Sequence, residues 1–134
     1  MPVNQLPAFV QTFFVMEDGG GPIYTLAYFN GNIRFYCYGG VGLDFTSTNI
    51  CTLNAWNDIA VQRFGSTWTI WVNGVGTSVI SAQVLNSVPT LISLGRFFYG
   101  YVDHVRLSNT ARFSLSGYVA PTGLYPAPDA NTLL

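Results

Sequence analysis

The side chains that could do chemistry are few. The acids are Glu17, Asp18, Asp44, Asp58, Asp103 and Asp129, the one histidine is His104, and the thiols are Cys37 and Cys51. Glycoside cleavage needs two carboxylates flanking the bond, one as acid and one as nucleophile or base. No Glu-x-Asp-x-Glu run or equivalent occurs, and Glu17 is the only glutamate. Serine hydrolysis would have to recruit His104, which stands in an apolar stretch with no Gly-x-Ser-x-Gly elbow in the chain. Calcium takes about six to eight oxygen ligands, commonly several of them carboxylates, yet only Glu17 and Asp18 adjoin. One histidine and two cysteines make a poor closed zinc site. The residues therefore predict a non-enzyme without cofactor or metal. Aromatic groups are plentiful instead: Tyr24, Tyr28, Tyr36, Tyr38, Tyr99, Tyr101 and Trp71 could stack on a sugar face or meet a protein partner.

Composition narrows the partners. Charged residues are only 8% of 134, lysine is absent and the formal net charge is -1. Soluble monomers normally carry more charge, which keeps surfaces apart, so this surface is expected to be covered by other protein. Five arginines scattered singly do not make the cationic cluster that nucleic acid requires. No apolar run approaches the ~18 residues of a membrane span, and no secretory signal opens the chain. Cys37 and Cys51 are read as small buried apolar thiols, with a single bridge as the alternative.

Elements able to position these groups are strands. β-branched and aromatic runs fall at 12–17, 23–29, 33–38, 43–46, 56–64, 67–72, 75–80, 91–95 and 98–107. Turns fall at Asp18-Gly19-Gly20-Gly21, Asn30-Gly31, Gly39-Gly40, Gly65-Ser66 and Asn73-Gly74. Asn-Gly between apolar runs is a strong hairpin signal, because both residues tolerate positive φ. In 67–72 the period of two puts Trp68, Ile70 and Val72 on the core face and Trp71 on the other, where a ligand or partner could meet it. Trp56 is expected in the core as well. Residues 1–119 read as one all-β, two-sheet antiparallel domain, and 120–134, with Pro121, Pro126 and Pro128, as an extended arm that docks on a neighbour.

One order of motifs is distinctive. Trp56-Asn57-Asp58-Ile59-Ala60-Val61-Gln62-Arg63 is followed by Phe64-Gly65-Ser66, then by Thr67–Val72 closed by Asn73-Gly74, and later by Phe98-Tyr99-Gly100-Tyr101-Val102-Asp103-His104-Val105-Arg106. This pattern resembles the concanavalin A-like, laminin-G-like jelly-roll family. The resemblance covers roughly residues 12–125, with its specific part in 56–122. It implies structural roles for Trp56, Arg63, Asn73, Gly74, Gly100, Asp103 and Arg106, with Arg112 similar, and leaves Trp71, Tyr99 and Tyr101 as candidate contacts to a ligand or partner. Relatives usually carry further strands before the position of 12–17, which implies an uncovered sheet edge here.

The closing segment Thr110-Ala111-Arg112-Phe113 with Pro121-Thr122 resembles that of many virion-associated members. The expectation is a structural protein of a virus particle, of the bacteriophage type. It would act as a capsid decoration or cement protein, a homo-oligomer with a trimer favoured, contacting the major capsid or other virion proteins on the capsid surface. The alternative is a carbohydrate-binding, lectin-like module of a tail appendage used in host recognition. Neither nucleic acid nor membrane is an expected partner.

Overall fold

The computed structural model describes residues 11–19, 22–37, 43–82, 90–95, 98–114, 116–119 and 127–133. Eight strands form two antiparallel sheets: β1 (Gln11–Glu17), β2 (Pro22–Phe29), β3 (Asn32–Cys37), β4 (Leu43–Ile50), β5 (Ile59–Phe64), β6 (Thr67–Val72), β7 (Val75–Ile80) and β8 (Leu91–Leu94). The larger sheet has the order β4-β3-β2-β1-β8 and the smaller β5-β6-β7. No helix occurs among the described residues.

The hairpins follow from turn chemistry. Phe29 pairs with Asn32 across Asn30-Gly31, and Val72 with Val75 across Asn73-Gly74. Both asparagines and both glycines hold positive φ (50° and 91°, 52° and 83°), the mirror-image turn whose twist suits a hairpin. Asn73 does more than turn. Its Oδ1 accepts the Asp58 N–H at 2.9 Å, and its amide reaches Asn57 Oδ1 at 3.1 Å, so this turn also fixes the entry to β5.

Alternation puts apolar groups between the sheets. In β4, Leu43, Phe45 and Ser47 are buried while Asp44, Thr46 and Thr48 are exposed. Phe35 stacks on Trp68 at 5.6 Å across the gap, with Tyr24 beside both at 5.5 and 6.0 Å. Trp68, Ile70 and Val72 lie in one core cluster with Phe13, Ile33, Phe35, Phe45, Cys37 and Cys51. Both cysteines are free and buried. On one flank the sheets are tied by hydroxyls: Thr77 Oγ1 accepts the Thr48 N–H at 2.9 Å and meets Thr48 Oγ1 at 3.0 Å.

Four sequence expectations need correction. Trp56 is 60% exposed, because the strand after it begins only at Ile59 and Asn57 is the residue turned inward. Residues 98–107 are not a strand. His104 has φ 52°, which breaks an extended run, and its N–H goes to its neighbour Asp103 Oδ1 at 2.9 Å, so it cannot join a ladder. Trp71 does occupy the face away from the core, but the chain itself covers the ring there, leaving it 1% exposed. Finally, 127–133 does not leave the domain: Ser108 bridges Thr132, and the Leu133 N–H donates to Leu107 O at 2.7 Å. The Gly39-Gly40 turn and residues 120–126 lie outside the described residues.

Candidate functional site

The outer face of the smaller sheet is closed around Trp71, where a ligand or partner was expected, while Phe64 and Ile80 at the other end of that face stay exposed. Ala60, Trp71 and Gly76 form one cross-strand row, and Gln62, Thr69 and Ser78 the next. Residues 112–114 and 116–118 lie over these rows as a strap. Gln62 holds it by three bonds: Oε1 accepts the N–H groups of Arg112 and Phe113 at 3.0 and 2.9 Å, and Nε2 donates to Phe113 O at 2.8 Å. Phe113 and Tyr118 stack at 3.9 Å, and both meet the Trp71 ring edge-on, at 6.2 and 5.4 Å. Tyr118 Oη reaches Asp58 Oδ2 at 2.5 Å. Trp71 is left 1% exposed. In the folded chain its ring contacts its own strap.

An open surface with a cleft lies where β8 leads into 98–105. A shallow cleft of about 330 Å³ is lined by Leu94, Gly95, Phe98, Gly100, Val102, Asp103, His104 and Val105. Phe98 anchors its floor by an edge contact to Phe13 at 5.6 Å, and the Tyr99 N–H donates to Gln11 Oε1 at 3.2 Å. The lining residues 98, 100 and 102 alternate with Tyr99 and Tyr101, which are 58% and 70% exposed. Asp103 supplies the carboxylate of the rim, with Oδ2 3.1 Å from His104 Nδ1. Among the described residues no hydroxyl, thiol or amine side chain lines this cleft. The arrangement offers apolar area, two projecting phenol rings and one carboxylate–imidazole pair. Those are groups for holding a partner by contact and hydrogen bonds.

The other motif residues are spread over the fold. Arg63 donates to Gly65 O at 2.9 Å and lies over the Trp68 ring at 5.4 Å, holding the β5–β6 hairpin. Asn73 and Gly74 sit at the far end of that sheet beside Asp58. Arg106 reaches Thr132 Oγ1 at 2.9 Å and Asp129 at 3.5 Å. Of the motif residues, only Gly100 and Asp103 join the cleft.

Sequence reading missed Gln62, Phe113, Tyr118 and the Arg112–Asp129 pair. Arg112 grips Asp129 with both terminal nitrogens, at 2.6 and 2.7 Å. Those hydrogen bonds hold the Asp129 carboxyl well below the ordinary carboxylate value of 3.8. Bonds from Arg34 lower Asp44 in the same way. Burial works in the opposite direction on the core groups, pushing the Cys51 thiol up to about 11 and the Tyr24 phenol up to about 12. Asp44 and Asp129 are thus committed to arginines, and Asp58 to the Tyr118 hydroxyl. Among the described residues no group of three His, Cys, Asp or Glu side chains converges to hold a metal ion.

The family model of the concanavalin A-like lectin/glucanases superfamily, laminin-G type, matches residues 2–115. No curated protein and no solved structure gives a significant match. With most of its length matched, and with two antiparallel sheets and no described helix, the chain belongs to this superfamily.

Proposed function

We propose that this member of the concanavalin A-like superfamily is a non-enzymatic structural protein of a virus particle of the bacteriophage type. In this reading it decorates the capsid and acts through protein–protein contacts. The observation that carries the contact half is the open surface: Leu91, Ile92, Leu94, Tyr99, Tyr101 and Val105 are all exposed in a chain that is only 8% charged. Interfaces are enriched in aromatic groups and poor in charge at their centres, and large exposed apolar patches mark contact sites. The virion setting rests on the resemblance of the 110–122 segment to those of particle proteins. Mass spectrometry of purified particles tests it, with hundreds of copies per particle expected. Absence from particles, or only a few copies in each, removes the decoration role.

A second reading has its own support. Tyr99 and Tyr101 flank a cleft whose rim carries Asp103 and His104, the combination of ring and carboxylate that sugars use. A lectin-like module would show glycan binding lost in Tyr101→Ala. No glycan binding at millimolar concentration leaves protein contact alone.

A further inference from the structure

The sandwich is tied at one flank by Thr48 and Thr77, whereas β8 ends the larger sheet at the other. β8 pairs only with β1 among the described residues, in the register Phe14 with Leu94 through Glu17 with Leu91. The Gly95 N–H donates to Phe13 O at 2.9 Å, in step with that register. In an antiparallel ladder the bonding direction alternates residue by residue. Residues 91, 93 and 95 therefore turn their backbone groups toward β1, and Ile92 and Leu94 turn theirs outward. Nothing in the described structure receives them.

Natural edge strands are guarded by lysine, proline, an inward charge or a cover. The run Thr90-Leu91-Ile92-Ser93-Leu94-Gly95 contains no charge and no proline. Leu91, Ile92 and Leu94 are 52%, 39% and 47% exposed. Such an edge is complementary to itself, since two copies laid antiparallel bring no like charges together. We infer that β8 is a homodimer edge, pairing antiparallel with β8 of a second copy to join two larger sheets into one. The register is set by the outward groups: Ile92 exchanges both backbone bonds with Leu94 of the second copy, and Leu94 with its Ile92. Ser93 then faces Ser93 of the second copy on the two-fold axis, as a pair without hydrogen bonds between them, where side chains approach most closely. An isologous contact of this kind closes as a pair, so the trimer expected from sequence would need a different surface. The inference stands apart from the virion reading, because dimerisation is measured on the purified protein.

Position 93 carries the test. Ser93→Cys should give an intermolecular disulfide under mild oxidant, while the wild type, whose Cys37 and Cys51 are buried, should not. Ser93→Lys places like charges directly opposite and should weaken the dimer at least tenfold in sedimentation, as should Ser93→Glu. Mixing the Ser93→Lys and Ser93→Glu variants should restore the dimer mass, an outcome that misfolded variants cannot produce. A wild-type monomer at tens of micromolar, a Ser93→Lys variant with unchanged dimer mass, no recovery on mixing, or a dimer that Ser93→Cys does not cross-link would each overturn the inference.

Discussion

Single side chains decide whether the two sheets stay together. Trp68 is buried and meets both Phe35 and Tyr24 from the facing sheet. Trp68→Ala should therefore cost about 3–5 kcal/mol through lost burial and the cavity left behind, measured by denaturant unfolding. That is a large part of the stability of a small domain, and a loss under about 1 kcal/mol would contradict this packing. Asp129 shows a pH effect at the same scale. Its folded value lies below the unfolded one of 3.8, so its contribution is fully present above that value and is lost as pH falls toward the folded value. Amide protection at Asn131, whose N–H donates to Asp129 Oδ1, should be flat from about pH 5 to 8 and fall below about pH 4. Asp129→Ala, which has no acceptor, should remove it at every pH. Protection that instead changes near neutral pH would point to a different titrating group.

At the scale of elements, the strap and the smaller sheet are fitted to each other. Gly76 stands opposite Trp71, and a Cβ there would lie 2.7 Å from the indole Cζ3 and 2.9 Å from Cε3. The ring cannot retreat easily, since Phe113 and Tyr118 close on it from the strap. Gly76→Ala should cost about 1–3 kcal/mol by overpacking, and should expose Trp71 to acrylamide quenching as the strap lifts. An unchanged quenching profile would mean that the strap does not bear on the ring. This fit was hidden in the sequence. Hairpins, core face and fold family were legible, because Asn-Gly turns and period-two alternation are local signals. What covers Trp71 comes from Phe113 and Tyr118, about a third of the chain further along, which no local pattern announces. The same limit explains Trp56 and 98–107: aromatic, β-branched composition suggested burial or a strand, while the Asn57 amide network and the positive φ of His104 decided otherwise.

For the whole molecule the open question is how much of the chain the cooperative unit includes. The core cluster runs from Phe13 to Val72, and Phe98 and Val102 pack against it. Residues 127–133 add no buried apolar side chain among those described. They act by holding arginines: Arg112 through Asp129, and Arg106 through Thr132 and Asp129. Arg112 in turn adjoins the Gln62 anchor of the strap. Deleting 127–134 should therefore leave a folded sandwich with one cooperative transition, while the strap loosens. Arg106 Nε is already buried without a partner, so losing its remaining acceptors adds a desolvation cost. The melting temperature should fall by roughly 2–8 °C, with increased quenching of Trp71. Loss of cooperative unfolding would put the C-terminal segment inside the folding core. An unchanged melting temperature and quenching profile would make the arginine latch irrelevant to the strap. Dimer mass offers an independent reading of the same truncation. It should be unchanged, because β8 lies in the other sheet and its outward groups do not involve these residues.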